Sequence, residues 1–141
     1  MSLTTILQQQ GRSIVHATPD TLVSAVVEML ADNRIGAVPV VEGGRVIGIM
    51  SERDVVLALR RDGAGVLGWP VERVMTRPAI TVDPAITPLA GLSLMTQRRI
   101  RHLPVVDGGE LVGFISIGDL VKARIDLIES EAEAMRAYIA S

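Results

Sequence analysis

The sequence predicts an α/β protein in which two β-α-β-β-α copies pack face to face, followed by a long helix. Three observations carry this prediction. The 141-residue chain repeats itself at an offset of 65 residues, each copy has β-rich runs on both sides of two adjacent glycines, and neither Gly nor Pro interrupts the last 22 residues. Helical and hairpin patterns that alternate in this way build layered α/β folds.

Internal duplication organises the chain. Residues 15–56 align with residues 80–121 without a gap, and 13 of the 42 aligned pairs are identical. The period is longer than that of solenoid repeats, which favours two copies packed on each other over an array. We therefore divide the chain into a first repeat with the N-terminal segment and connector (1–72), a second repeat (73–126) and a C-terminal helical extension (127–141).

Each copy begins with a short predicted strand, at 13–17 and at 79–82, which leads through a Pro-containing turn to a helix. In the second copy, Thr87 is a suitable N-cap residue and Pro88 suits the first helical position. In the first copy, the run 21–30 is apolar around most of its circumference. Such a run is typical of a helix pressed into a core.

A β-hairpin and a second helix complete each copy. β-rich runs flank Gly43-Gly44 in the first copy and Gly108-Gly109 in the second. Adjacent glycines supply the positive φ angles of a two-residue primed turn. Each hairpin then runs into a helix at a Ser-x-x-Asp step, and the connector between the copies contains a run at 71–75 that predicts a short helical turn.

The motif Gly-x-x-Ser-x-x-Asp occurs twice, at 48–54 and at 113–119. Ser followed three residues later by an acid is typical of a helix capping box. The same step also suits a nucleotide, because a helix N-terminus attracts phosphate and an Asp carboxylate can accept two hydrogen bonds from a ribose diol. A cap needs no glycine in the preceding strand. Gly48 and Gly113 therefore favour close approach of a ligand, with a β-bulge or packing as the alternative.

Two such copies, each with Pro-Val-Val and the Gly-x-x-Ser-x-x-Asp motif, resemble a pair of cystathionine β-synthase (CBS) domains, or Bateman module. The resemblance covers about residues 12 to 126. It implies a pseudo-twofold module with a cleft between the repeats. It also implies two sites for adenosine-containing ligands (AMP, ADP, ATP, NAD(H) or S-adenosylmethionine) and dimerisation into a flat disc.

Carried over to this sequence, the resemblance implies that the two Asp residues bind ribose and that the two Ser residues contact phosphate. The strand that leads into each repeat would hold adenine mostly through backbone groups. The first implied site consists of His16, Ala17, Thr18, Ser51, Arg53, Asp54, Arg101 and His102. The second implied site consists of Gly36, Ala37, Thr81, Val82, Asp83, Ser116 and Asp119.

The two implied sites differ in charge. Arg101 and His102 precede Pro-Val-Val in the second repeat, where the first repeat has Gly36 and Ala37. An Arg side chain offers a planar donor fork to phosphate. We therefore expect the Asp54 site to prefer the more anionic ligand and the second site to have fewer charges and more room. With 2% aromatic residues, adenine is expected between aliphatic side chains.

The C-terminal helix carries a heptad seam, which predicts a homodimer contact. The alternative is that this face packs against its own domain. Its apolar positions are Val121, Ile125, Ile128, Ala132, Met135 and Ile139.

Several function classes are disfavoured. The net charge of −2 argues against a nucleic-acid partner, and the absence of Cys with only two His argues against a metal site. There is no P-loop, no Gly-x-Gly-x-x-Gly and no catalytic constellation, so we predict no enzymatic activity. No apolar run reaches the roughly 18 residues of a membrane helix, and the N-terminus lacks a signal-peptide pattern, so a cytoplasmic location without a membrane partner is expected.

The sequence thus predicts a regulatory module that senses an adenosine nucleotide (AMP, ADP, ATP or NAD(H)) and passes its output to a separate protein effector or to self-assembly. The alternative is a dimerisation or interaction scaffold whose clefts hold no ligand.

Overall fold

A computed structural model describes residues 1–11 and 13–141; residue 12, where the resemblance begins, lies outside the described residues. The observed order confirms two repeats of helix, hairpin and helix, the last helix being long. Short 3-10 turns at Ala64–Gly68 and Val71–Arg73 lie in the connector. The elements are α1 (Leu3–Gln10), α2 (Val23–Asn33), β1 (Ala37–Glu42), β2 (Arg45–Ser51), α3 (Glu52–Asp62), α4 (Pro88–Arg98), β3 (His102–Asp107), β4 (Glu110–Ser116) and α5 (Ile117–Ala140).

Each hairpin forms a two-stranded antiparallel sheet, β1 with β2 and β3 with β4. The turn glycines have φ angles of 58° and 80° in the first hairpin and 59° and 85° in the second, which confirms the predicted primed turns. The register places Ala37 opposite Ser51 and His102 opposite Ser116. The residue before each Pro-Val-Val region therefore lies beside the Ser of its own repeat.

The predicted leading strands are each reduced to one bridge residue. Ala17 pairs in parallel with Val40, and Val82 pairs in the same way with Val105. The pairing cannot extend, because the chain turns immediately afterwards. At Thr18 the backbone N–H donates to the Thr21 hydroxyl at 2.9 Å, which starts a turn in place of a second strand residue.

Each repeat has its own apolar core. The first core is built around Val23, Val26, Val38, Val40 and Met50. The second is built around Met95, Leu103, Val105, Ile115 and Leu120. The helices and hairpin of a repeat therefore fold around one cluster of branched aliphatic and Met side chains, as the low aromatic content requires.

The N-terminal helix α1 was not predicted. Leu3 and Ile6 are buried in the core of the second repeat, although the segment precedes the first repeat in sequence. The backbone N–H of Leu3 donates to the carbonyl of Ile86 at 3.0 Å, which fixes the start of the helix. Apolar residues at 3, 6 and 7 with Gly11 after the helix were the available signal.

The glycines of the two motifs are explained by packing of the chain on itself. A Cβ atom at Gly48 would lie 2.8 Å from the sulfur of Met75 and 2.9 Å from the carbonyl oxygen of Thr76. At Gly113 it would overlap the side chain of Leu7 from α1. The hairpin register also shifts at these glycines, as in a β-bulge. The structure therefore supports the packing alternative over the ligand-approach interpretation.

The heptad face of α5 does not pack against its own domain. Val121, Ile125 and Ile128 are 42%, 49% and 50% exposed, and Met135 and Ile139 are 63% and 78% exposed. The alternative of packing within the chain is therefore wrong for these side chains. Among the described residues, none of the helices combines the length and the apolar character that crossing a bilayer requires.

Candidate ligand-binding site

Both Ser-x-x-Asp steps form complete capping boxes. The Ser51 hydroxyl oxygen accepts a hydrogen bond from the backbone N–H of Asp54 at 3.2 Å, and the Asp54 carboxylate accepts one from the backbone N–H of Ser51 at 2.9 Å. Ser116 and Asp119 make the same two bonds at 3.2 and 2.9 Å. The capping interpretation is confirmed in both copies, and each cap uses only the Oδ2 atom of its Asp.

The Asp54 carboxylate has two further donors. The Ser51 hydroxyl donates to Oδ2 at 3.0 Å, and the Thr76 hydroxyl donates to Oδ1 at 2.9 Å. Thr76 is held in place because its backbone exchanges two hydrogen bonds of 2.9 Å with Ile49 on the edge of β2. Both carboxylate oxygens of Asp54 are therefore engaged by the protein itself.

The Asp119 carboxylate is less engaged. Over residues 1–11 and 13–141, its Oδ1 atom accepts no hydrogen bond and the Ser116 hydroxyl donates none. The residue that corresponds to Thr76 at the repeat offset is Gly11, which has no side chain to donate. As far as the described residues show, an acceptor and a donor without partners therefore lie next to each other at the start of α5.

A cavity of about 680 Å³ lies between the repeats beside Asp119. Its size falls within the roughly 300–1,000 Å³ of typical small-molecule sites. It is lined by both repeats and by α1: Leu7, Gln10, Ser13, Ile14, Val15, Asn33, Arg34, Ile35, Gly36, Ala37, His102, Val112, Gly113, Phe114, Ser116 and Asp119. Four residues assigned to the second site, Gly36, Ala37, Ser116 and Asp119, are thus brought together.

The other three residues assigned to that site do not line the cavity. Val82 is buried in the second core, with its N–H donated to the carbonyl of Pro104 at 3.0 Å. Thr81 and Asp83 are exposed on either side of it. The leading segment that reaches the cavity belongs to the first repeat, at residues 13–15, and not to the second repeat as expected for the site of Asp119.

Of the residues assigned to the first site, Ser51 and Asp54 are joined by hydrogen bonds. Arg53 and Arg101 are exposed. The segment 16–18 runs along β1, where Ala17 is buried and His16 and Thr18 are exposed. None of these residues lines the 680 Å³ cavity or a smaller one of about 160 Å³ between α1 and α5.

His102 belongs to the Asp119 cavity and not to the Asp54 motif. The reason is the hairpin register, which sets His102 opposite Ser116. Its ring stacks on that of Phe114 with centroids 5.6 Å apart and an angle of 10° between the planes. It also packs against Gly36 of the other repeat, where a Cβ atom would lie 3.3 Å from the imidazole Cε1.

The pKa of His102 is lowered from its ordinary value, chiefly because burial removes water from the charged form. The negative charges of Asp119 and Glu52 raise this pKa in part, and the positive charge of Arg101 lowers it further. The imidazole is therefore mainly neutral at pH 7. The wall thus includes two flat rings, where aliphatic side chains alone were expected.

The described part of the chain contains no group of three or more His, Cys, Asp or Glu side chains arranged to hold a metal ion. The residues that line the cavity instead include one carboxylate, two hydroxyls, two side-chain amides, one neutral imidazole and Arg34. This set suits an organic ligand that has hydroxyl groups and a flat ring.

Two repeats that meet around a cavity at the start of a capped helix define a tandem module. The chain belongs to the CBS domain family, since the sequence model of the CBS domain matches residues 11–61 and 71–126. The mitochondrial CBS domain-containing protein CBSX3 of Arabidopsis thaliana is 31% identical, with 98% of this chain and 71% of CBSX3 covered.

Solved structures share the fold. A CBS-domain-containing protein of Agrobacterium tumefaciens superposes with a TM-score of 0.83 at 38% identity, over 88% of this chain and 99% of that one. Inosine-5′-monophosphate dehydrogenase of Korarchaeum cryptofilum is 32% identical, but the match covers 77% of this chain and only 22% of the enzyme. The likeness therefore does not extend to the rest of that enzyme.

Two further CBS pairs with this fold hold adenosine-containing ligands. CBSX2, solved in complex with AMP, has a TM-score of 0.75 at 22% identity over 89% of this chain and 97% of that one. A CBS pair solved with 5′-methylthioadenosine and S-adenosyl-L-methionine has a TM-score of 0.76 at 22% identity, over 87% and 94%. At this identity the likeness establishes the fold alone.

Proposed function

We propose that this protein is a regulatory module that binds an adenosine-containing ligand in the cavity beside Asp119. One observation carries the proposal. In a cavity of about 680 Å³ lined by both repeats, the Oδ1 atom of Asp119 accepts no hydrogen bond from the described residues, and the Ser116 hydroxyl is free to donate. A ribose diol supplies the donors that such a carboxylate oxygen lacks.

The rest of the cavity suits the rest of an adenosine ligand. A phosphate or other 5′ group would lie toward Ser116 and the start of α5, where backbone N–H groups and the helix dipole favour negative charge. Adenine would lie against the segment 13–15 and the residues at the end of α2, which also line the cavity. That CBSX2 holds AMP in the same fold supports this class of ligand.

The Asp54 motif is a second candidate site that is closed in this conformation. A ligand there must first replace the hydrogen bond from Thr76 to the Asp54 carboxylate. A single net hydrogen bond is worth about 0.5–1.5 kcal/mol, which corresponds to roughly a 2- to 12-fold loss of affinity. We therefore expect the Asp119 cavity to fill first. The preference of the Asp54 site for the more anionic ligand would then rest on Arg101, since His102 lines the Asp119 cavity instead.

Regulation would follow from the position of the cavity. Because both repeats and α1 line it, a bound ligand favours one arrangement of the three parts over others, provided that its affinity for the arrangements differs. The exposed heptad face of α5 is the proposed contact with a second copy. A change between the repeats would reach that contact through α5, which begins in the cavity at Ile117.

The test is a thermal-shift and calorimetric panel of adenosine, AMP, ATP, NAD(H) and S-adenosylmethionine. A ligand at 100 times its Kd stabilises the folded state by about 2.7 kcal/mol. We expect at least one ligand to do so, and the Asp119→Ala variant to lose the response while Asp54→Ala retains it. A flat response across the panel would favour the alternative, a scaffold that binds no ligand.

A further inference from the structure

His102 breaks the symmetry of the two repeats inside the cavity. At the offset of 65 residues its counterpart is Ala37, which has nothing to titrate. His102 is held between two surfaces, the ring of Phe114 on its own repeat and the backbone of Gly36 on the other. The imidazole therefore has a fixed place in the wall, close to the Ser116 end where a phosphate would lie.

Charged groups surround the imidazole from several elements. Asp119 on α5 and Glu52 at the start of α3 act on it with negative charge, and Arg101 beside it acts with positive charge. Arg34, which ends α2, lines the same cavity. Burial outweighs the two carboxylates and favours the neutral form of His102. A negatively charged ligand in the cavity would raise the pKa of His102 and so favour the protonated imidazole.

We infer that His102 is the residue that makes the cavity sensitive to ligand charge: it takes up a proton when a phosphorylated adenosine ligand binds and stays neutral when an uncharged adenosine ligand binds. This inference rests on the proposed function, since it concerns the same cavity. Its geometric basis is that His102 is the one histidine that lines the cavity, beside the free hydroxyl of Ser116.

The physical reason is electrostatic. A phosphate group brings between one and two negative charges near pH 7. A negative charge within about 4–6 Å favours the protonated imidazole. Each unit of rise in the pKa of His102 strengthens binding of the charged ligand by up to about tenfold, and the full gain is reached only at pH values below both the free and the bound pKa. AMP affinity should therefore strengthen as the pH falls, while adenosine affinity should not change.

The experiment is an NMR titration of the two histidine imidazoles, recorded for the free protein, with AMP and with adenosine. The chain has only two histidines, so a His16→Gln sample assigns both signals. His16 lines neither cavity, and its signal is the internal control. We expect AMP to raise the pKa of His102 by about one unit while adenosine leaves it unchanged.

Calorimetry of AMP binding in two buffers of different ionisation enthalpy measures the proton uptake directly. The AMP phosphate can also take up a proton, because its second ionisation lies near pH 6. His102→Gln should abolish only the proton uptake by the imidazole, so the difference between the two proteins measures the contribution of His102. Binding of AMP without a change in the His102 pKa, or an equal change with adenosine, would overturn the inference and leave the proposed function intact. Failure of AMP to bind would overturn the inference, and failure of the whole adenosine panel would overturn the proposed function as well.

Discussion

The two Gly-x-x-Ser-x-x-Asp motifs have the same capping geometry but different surroundings. The Asp54 carboxylate accepts three hydrogen bonds from the protein, from the N–H and the hydroxyl of Ser51 and from the hydroxyl of Thr76. The Asp119 carboxylate accepts one from the described residues, and it faces a cavity. Helix capping uses one carboxylate oxygen, so the neighbour of the other oxygen decides whether the motif is available to a ligand.

The segments that cover the two motifs differ in the same way. The edge of β2 is covered by connector backbone, which pairs with Ile49 through Thr76. The corresponding part of β4 is covered by a side chain, Leu7 of α1, at Gly113. The connector backbone that packs on β2 closes the first site with fixed hydrogen bonds. The Leu7 side chain that packs on β4 fills only part of the cleft, so space remains beside Asp119.

The largest expected effect separates ligand binding from capping. Asp119→Ala should weaken adenosine-ligand affinity about 10- to 100-fold, because a charged hydrogen bond to the ligand is worth about 1.5–3 kcal/mol. Asp54→Ala should leave that affinity nearly unchanged and instead lower the free energy of unfolding by about 1–3 kcal/mol, since three donors lose their acceptor. Calorimetry and urea unfolding of both variants measure the two effects. Equal losses of affinity would remove the distinction between the sites.

The two motif glycines offer a matched pair of stability variants. Gly48→Ala places a methyl group against the backbone carbonyl of Thr76, which cannot move without the connector, so it should cost about 1–3 kcal/mol in urea unfolding. Gly113→Ala meets only the flexible end of Leu7 and should cost less. Adding Leu7→Ala should relieve part of the Gly113→Ala strain. If both glycine variants lose the same free energy of unfolding, and Leu7→Ala restores none of it in Gly113→Ala, then backbone does not pack on Gly48 and a side chain on Gly113 as described.

Removing the Thr76 hydroxyl should open the closed site. Thr76→Val keeps the shape but frees the Oδ1 atom of Asp54, at a cost of about 0.5–1.5 kcal/mol in stability. AMP affinity at the Asp54 site is expected to rise roughly 2- to 12-fold, while AMP affinity at the Asp119 cavity stays the same. Thr96→Val is the control, because its hydroxyl donates within α4, to the carbonyl of Leu92. An unchanged affinity of the second site in Thr76→Val would show that Thr76 is not what closes the site.

The smallest expected effect is on the pH dependence of stability. Burial lowers the pKa of His102 in the folded state, so the unfolded chain takes up this proton first as the pH falls below about 6.5. Stability should therefore decrease from pH 8 to pH 5.5. His102→Gln should remove that part of the decrease. Urea unfolding of both proteins at the two pH values measures the difference, and parallel curves would contradict a buried neutral imidazole.

Most of the fold followed from local patterns in the sequence. The duplication, the glycine turns, the Thr87 cap and the uninterrupted C-terminal helix are short-range signals, and each was confirmed. The leading strands were overestimated because an extended apolar run does not reveal that its pairing stops after one residue. Helix α1 was missed because its eight residues are stabilised by packing on the second repeat.

The site was less predictable because it depends on contacts between distant segments. The Ser and Asp residues were visible as a motif, but the motif does not show that Thr76 reaches Asp54 from 22 positions away. The placement of His102 follows from the hairpin register, which sets it opposite Ser116 in its own repeat. A residue-by-residue resemblance names candidate positions, whereas the register and the covering segments decide which of them share a cavity.

The most direct test is a crystal structure of the protein soaked with AMP below the concentration that would saturate a weak second site. We predict one nucleotide per chain in the Asp119 cavity, with its ribose on the free carboxylate oxygen and the bond from Thr76 to Asp54 intact. A nucleotide at Asp54 with Thr76 displaced, and an empty cavity at Asp119, would contradict the account.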